Sequence, residues 1–261
     1  MWESLALNVI GGILAGWTFS VWHFAAREFT KGRFKQLFGS NTVEEGITLI
    51  YEEMALPSQF GTHPYFKPGY ETTGRFFSIG RPIPIASVRA ISYLSNTIGR
   101  AIGRSPTIRS DIEVRNVLDV DFICFGGPYS NTMSETCFAN GGNRLVSFDQ
   151  NTTQFKAKGS GQALIQIEGN YDYAVILKLH PVQFPERVWI VCAGIGERGT
   201  SGAAWYLANK WRELRGKAKD KPFAAFFRVE PDVHSGRDQS AELLKIIVVD
   251  GENIETTDFE A

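Results

Sequence analysis

A chain of 261 residues with 43% apolar content can bury one substantial core. Its formal net charge of −1 gives no electrostatic case for direct nucleic-acid binding. Its 3 cysteines, Cys124, Cys137 and Cys192, are too few and too scattered for a disulfide framework or a zinc site, and Cys124 and Cys192 read as buried, reduced thiols of a cytosolic domain.

The first predicted element is a helix. Residues 4–26 carry no Asp, Glu, Lys or Arg, and a helix needs about 20 such residues to cross a bilayer core. Trp2 and Trp22 stand near its two ends, where interfacial aromatics are favoured. A signal peptide is the competing reading, but no basic stretch precedes the run and no small-x-small cleavage site follows it. A buried soluble helix is the plainer alternative. Residues 1–27 are therefore expected to form a single transmembrane helix and 28–45 a basic juxtamembrane linker able to lie against anionic lipid. Arg27, Lys31, Arg33 and Lys35 follow the run while Glu3 precedes it, so the positive-inside rule places the carboxyl-terminal domain in the cytosol and the span in the inner membrane. Asn8, Gly12, Gly16 and Ser20 form a small-residue stripe on which copies of the helix can pack, which predicts a homo-oligomer.

Residues 46–261 are expected to form the cytosolic domain. Its first strand is placed at 46–51, and 57–84 is a long proline-rich loop. Ser87 can cap a helix over 88–100, where Val88, Ile91, Leu94 and Ile98 make the apolar stripe. Residues 104–109 read as a turn around Pro106. A strand over 120–125 ends at Gly126, Gly127 and Pro128, followed by Ser130 and Asn131, and Thr132 with Glu135 has the form of a capping box. Short strands at 146–148, 153–157, 163–168 and 173–179 read as hairpins added to the sheet. Two closing strands are placed at 223–230 and 243–249, and the acidic end, 254–261, as frayed.

Between them lies the stretch that organises the chain. Residues 188–193 read as a buried strand. Gly194, Gly196, Gly199 and Gly202 follow, and Thr200 and Ser201 can cap a helix whose Ala204, Leu207, Ala208, Trp211 and Leu214 share one face. Arg212 and Arg215 suit its last turn and Gly216 its stop. Such a junction aims backbone N–H groups at a phosphate, with Glu197 and Arg198 in the loop itself and Arg198 the side chain suited to an anion. No glycine loop is followed by a Walker lysine, which argues against an NTPase. His23, His63, His180 and His234 have no metal-ligand spacing, so no metal is expected. Ser201 reads as a cap or phosphate cradle before it reads as a nucleophile.

The expected fold is therefore α/β: a Rossmann-like mixed sheet with helices and added β-hairpins, preceded by one transmembrane helix. The strand ending in Gly126-Gly127-Pro128, then the strand ending in Gly196-Glu197-Arg198-Gly199-Thr200, resembles the SLOG superfamily of Rossmann-like nucleotide-binding domains over residues 117–216. Members include cytokinin-activating phosphoribohydrolases and sensor domains of bacterial antiviral defence that bind nucleotide or NAD-derived messengers, several attached to membrane helices. The resemblance implies a ligand that is a nucleotide, cyclic nucleotide or NAD derivative, with no resident cofactor. Its binding residues would be Gly126, Gly127, Ser130, Asn131, Gly194, Gly196, Glu197, Arg198, Gly199, Thr200 and Ser201. The hydrolytic members carry a glutamate three residues after the threonine, and here that position is Ala203. Alanine can neither stabilise an oxocarbenium-like centre nor activate water, so no catalytic residue is assigned. A membrane-anchored sensor–effector is the expected function. A membrane-tethered nucleotide N-glycosidase and a non-catalytic scaffold are the alternatives.

Overall fold

The computed structural model describes residues 2–54, 82–230 and 241–259, with side chains from Gly16 onward. The Pro-rich stretch at 57–81 lies outside the described residues, and so does His63. The fold is α/β, built on one mixed sheet. Four strands run parallel: β1 (Thr48–Tyr51), β2 (Thr107–Ser110), β3 (Phe122–Phe125) and β7 (Trp189–Gly194). Beyond β7 the sheet continues antiparallel through β6 (Asp172–Leu179), β8 (Phe223–Val229), β9 (Glu242–Asp250) and β10 (Asn253–Asp258). The spatial order is β10-β9-β8-β6-β7-β3-β1-β2.

Alternation along the central strands splits the core in two. Ile123, Phe125, Ile190 and Cys192 point to one face, which is covered by α2 (Ile85–Ile102), α4 (Glu197–Ala218) and the end of α1 (Trp2–Phe38). Phe122, Cys124, Trp189 and Val191 point to the other, covered by α3 (Thr132–Ala139) and the hairpin of β4 (Val146–Asp149) and β5 (Gln154–Ala157). All three cysteines are buried thiols.

Several expectations are corrected. The segment read as an added hairpin over 173–179 is β6, a central strand wedged between β7 and β8. Both its faces are covered, so seven successive residues from Tyr173 are buried and no polar alternation marks it. Residues 163–168 form no strand, only a bridge from Ala163 to Lys156. The turn at 104–109 gives way to β2 directly after Pro106, and most of the end read as frayed is the edge strand β10. Ser87 does not cap α2: the N-cap is Pro84, and Ser87 is buried inside the helix. That helix ends at Gly103, whose φ of 75° is the left-handed stop that glycine adopts without strain. Helix α4 begins at Glu197 and passes through Gly216 to Ala218, so Thr200 and Ser201 lie in its first turns rather than at its cap.

Helix α1 is continuous over 37 residues. Among the described residues no helix is long and apolar enough to cross a membrane. The first half of the uncharged run, with Asn8 and Gly12, precedes the residues whose side chains are described. From Trp17 to Ala26 the helix stands clear of the domain, with Trp17 71% and Trp22 72% exposed and Phe19, Val21 and Phe24 also in the open, and the Arg27 guanidinium then reaches Gly103 at the end of α2. The apolar side of its last turn, Phe34, Leu37 and Phe38, is buried. Phe34 stacks on Phe38 at 4.1 Å, and both meet the edge of Trp211 of α4, at 5.6 and 6.3 Å. Arg215 Nε donates to Gln36 Oε1 at 2.8 Å.

A buried lysine completes this seat. Lys178 of β6 is fully buried, and its Nζ donates to Gln36 O and to Asp220 O, each at 2.9 Å. The negative end of the α1 dipole is thus met by a cation. Burial pushes the ammonium down to about 8, against the pull of Asp220 and Asp121. In the unfolded chain the lysine titrates near its ordinary value of 10.5. Between those two values the unfolded chain binds more protons than the folded one, so stability rises with pH across that window. Denaturant midpoints from pH 7.5 to 10.5 should therefore climb less steeply in Lys178→Met than in the wild type. Parallel curves would mean that the lysine is solvated.

Candidate functional site at the carboxyl edge of the parallel strands

The chain leaves β1 through α2 to reach β2 on one side, while β3 lies on the other side and is followed by α3 on the opposite face. The crevice beyond the carboxyl ends of β1 and β3 is thus a topological switch point, where open α/β sheets bind their ligands. Strand ends gather Glu52 and Glu53 from β1, Asp111 from β2, Gly126, Gly127 and Ser130 from β3, and Gly194 to Arg198 from β7 along this edge. Asp172, at the start of antiparallel β6, joins them.

The glycine-rich junction after β7 turns out to be largely a packing device. A Cβ on Gly194 would collide with Thr200 N, one on Gly199 would lie 2.6 Å from Tyr173 O, and one on Gly202 would lie 2.7 Å from Val229 Cγ2. These glycines let α4 lie close on β6, β7 and β8. The donors offered to a phosphate are also occupied from within. Gly196 N donates to Asp172 Oδ1 at 2.9 Å and Gly199 N to Asp172 Oδ2 at 2.7 Å. Thr200 Oγ1 accepts from Gly194 N at 3.0 Å, and Ser201 Oγ turns back to Glu197 O and Arg198 O at 3.3 Å. Glu197 stays exposed and Arg198 half-buried on the same turn.

Helix α3 is closed in the same way. The N-cap is Asn131, not Thr132, and its Oδ1 accepts from Met133 N and Ser134 N at 2.9 and 3.2 Å. Its Nδ2 donates to Phe125 O at 2.8 Å, so Asn131 is committed to structure. Asp111 takes Thr132 N at 2.9 Å on one oxygen and Glu53 N at 3.1 Å on the other.

Glu52 is the residue that sequence reasoning missed. Gly126, with φ of 107°, brings its backbone so close that a Cβ would collide with the Glu52 carboxylate and lie 2.9 Å from Ser130 Oγ. Glu52 Oε2 is buried with no hydrogen-bond partner. Burial first, and then Asp111 and Glu197, raise its carboxyl above the ordinary range, while the Ser130 hydroxyl opposes them. The one available signal was position, since Glu52 directly follows a buried parallel strand. A carboxylate here can accept from a ligand hydroxyl, as acidic residues accept from ribose in dinucleotide sites. A raised carboxyl pKa means that the folded state holds its proton more tightly than the unfolded one. Ionisation as pH rises from 4.5 through the folded value then lowers stability. Glu52→Gln should accordingly raise the thermal midpoint at pH 7 and lose that advantage below pH 4.5. A fall at pH 7 would mean that the ionised carboxylate is well paired.

The remaining expected site residues are dispersed. Ala203 is fully buried in the core. His180 is held between Arg187 O and Asp220 O, near the seat of α1, and His234 lies outside the described residues. On α1, Ser20 Oγ donates to Gly16 O at 2.8 Å, and a Cβ on Gly16 would meet nothing within 4 Å. Among the described residues no group of three His, Cys, Asp or Glu side chains could hold a metal ion. No family model matches the chain, and neither the curated proteins nor the solved structures compared with it give a match.

Proposed function

We propose that this chain is a membrane-anchored sensor–effector: a SLOG-like cytosolic domain binds a nucleotide-type ligand at the switch-point crevice and alters how α1 assembles in the inner membrane. One observation carries this reading. Helix α1 is a rod whose free length exposes large apolar side chains over more than half of its circumference and whose other end is locked to α4. At about 100° per residue the large side chains at 17, 19, 21, 22 and 24 cover an arc of roughly 220°, and Gly16, Ser20 and His23 occupy the remaining side. A single partner groove would cover one narrow stripe of that arc; lipid on the apolar side with a second copy against the small-residue side covers it all. Helix α4 then links that seat to the glycine edge, because Trp211 and Arg215 hold α1 and Gly196 and Gly199 sit at its other end.

The chemistry of the edge favours a ligand read partly through hydroxyls, since Asp111 and Asp172 fill two helix N-termini while Glu52 keeps an open acceptor. The N-glycosidase alternative would rest on Glu52 as its acid, with Ala203 out of reach. The test uses Gly16→Cys in native membranes, where the three native thiols are buried. The protein should stay with the membrane after carbonate washing, and disulfide cross-linking through residue 16 should change when a nucleotide, cyclic nucleotide or NAD derivative is added. Release by carbonate, or cross-linking indifferent to the whole panel, would remove the reading.

A further inference from the structure

Charge is segregated along the strands of the domain. The carboxyl edge gathers Glu52, Asp111 and Glu197 around the crevice. Helix α2 leads from there to the amino edge, because it leaves the carboxyl end of β1 and delivers the chain to the start of parallel β2. Its 18 residues make it about 27 Å long, more than three times the screening length of about 8 Å at physiological salt. The acidic edge therefore does not cancel what the amino edge presents.

At the amino edge α1 leaves the domain, and the sign reverses. The Arg27 guanidinium lies against Gly103, so the end of α2 stands level with Arg27. Arg100 and Arg104 flank that glycine, and both are exposed. Arg104 directs Nη1 to the backbone carbonyl of Glu44, which leaves its charge uncompensated. Further along α1, Arg33 holds its guanidinium 3.9 Å from the centroid of the exposed Phe29 ring. Its Nε is buried without a hydrogen-bond partner. Lys31 and Lys35 are paired with Glu28 and Glu44. Arg27, Arg33, Arg100 and Arg104 have no carboxylate partner among the described residues.

We propose that this amino edge is a docking face for anionic lipid headgroups, which seats the domain on the cytosolic leaflet with its crevice turned away from the bilayer. The proposal rests on the membrane reading of α1 and adds how the domain sits. Helix α1 runs unbroken to Phe38, so no flexible linker separates its free length from the domain. Arg27 ends the uncharged run, and Phe34 is already buried in the domain. The rise between them is about 10 Å. A headgroup layer is about 5–7 Å deep, so the end of α2 stands within a screening length of lipid phosphates. Guanidinium forks match phosphate oxygens and shed their weak hydration readily. A soluble acidic partner would satisfy the arginines and leave the apolar length of α1 in water. An anionic bilayer takes up both together.

The full chain in vesicles tests this, with a fluorophore on Ser105→Cys beside Arg104 or on Tyr129→Cys at the carboxyl edge. Both positions are exposed, and the native thiols are buried. A nitroxide on the lipid headgroups is the quencher. The vesicles are phosphatidylcholine alone, or phosphatidylcholine with about a third phosphatidylglycerol to supply the negative surface potential. Quenching at residue 105 should rise at least about threefold with phosphatidylglycerol, while at residue 129 it stays low in both. Each basic residue near such a surface shifts the docked population about fivefold. Arg100→Glu should therefore remove most of the gain with the thermal midpoint unchanged. Salt near about 1 M should do the same, because the screening length falls to about 3 Å. Quenching at residue 105 that ignores phosphatidylglycerol, or that survives both Arg100→Glu and high salt, overturns the docking face. Stronger quenching at residue 129 than at residue 105 overturns the orientation. Either result leaves the membrane reading standing while the protein resists carbonate. If carbonate strips the wild type from both vesicles, the membrane reading falls, and this inference with it.

Discussion

Trp211→Ala should lower stability by about 3–5 kcal/mol, the range for removing a buried aromatic side chain. Trp211 is 3% exposed and receives Phe34 and Phe38 edge-on from the last turn of α1. Arg212 lies over the same ring, 4.6 Å from its centroid. Aromatic pairs of this kind add roughly 0.5–1.5 kcal/mol beyond their burial. Truncation therefore opens a cavity and also frees the helix that projects from the domain. Denaturant unfolding of the full chain in micelles measures the first effect. Limited proteolysis around residues 30–40 measures the second, as a new early cleavage. Under the proposed function the variant should still bind nucleotide, but cross-linking through residue 16 should no longer respond to it. A loss below about 1 kcal/mol without new cleavage would mean that α1 is held elsewhere, by Lys178 and Arg215.

Ala203→Glu is expected to be more damaging still. It places a carboxylate at a position that is fully buried beside Ala204, another fully buried residue on α4. A carboxylate placed there finds no partner among the apolar side chains of that cluster. The cost should be at least about 4 kcal/mol, which corresponds to a drop of roughly 10 °C in the thermal midpoint. No nucleotide hydrolysis should appear. A well-folded Ala203→Glu with measurable glycosidic cleavage would bring the enzymatic alternative to the front. Ala203→Ser, close in volume, is the control that separates charge from size.

Both predictions turn on the difference between local pattern and tertiary placement. Local pattern sufficed for β1, β3 and β7, because short runs of apolar and β-branched residues bounded by glycine are what a strand covered on both faces requires. It sufficed also for the body of α4, where Leu207, Ala208, Trp211 and Leu214 repeat at helical spacing. A helix at the amino end was legible from the uncharged run, but its continuation through 28–38 was not, because that basic stretch read as a linker. Short edge strands were not legible either. Residues of β10 are all exposed, and only Ser110 of β2 is buried, so neither carries an apolar signature. The length of the apolar run in β6 did point inward, yet the turns around it suggested a hairpin.

The site depended on tertiary structure most of all. The sequence alone determined that a strand passes through glycines into a helix near residue 196. It could not determine whether the backbone donors there are free, because Asp172 reaches them from another strand. Nor could it rank Glu52 above the other acidic residues, since the closeness of Gly126 and Ser130 exists only once β1 and β3 are paired. Apolar periodicity is a property of neighbours in the chain, and it fixes helices and strands. Which carboxylate closes a helix end, and which is left with an empty acceptor, is set by strands brought together across the sheet.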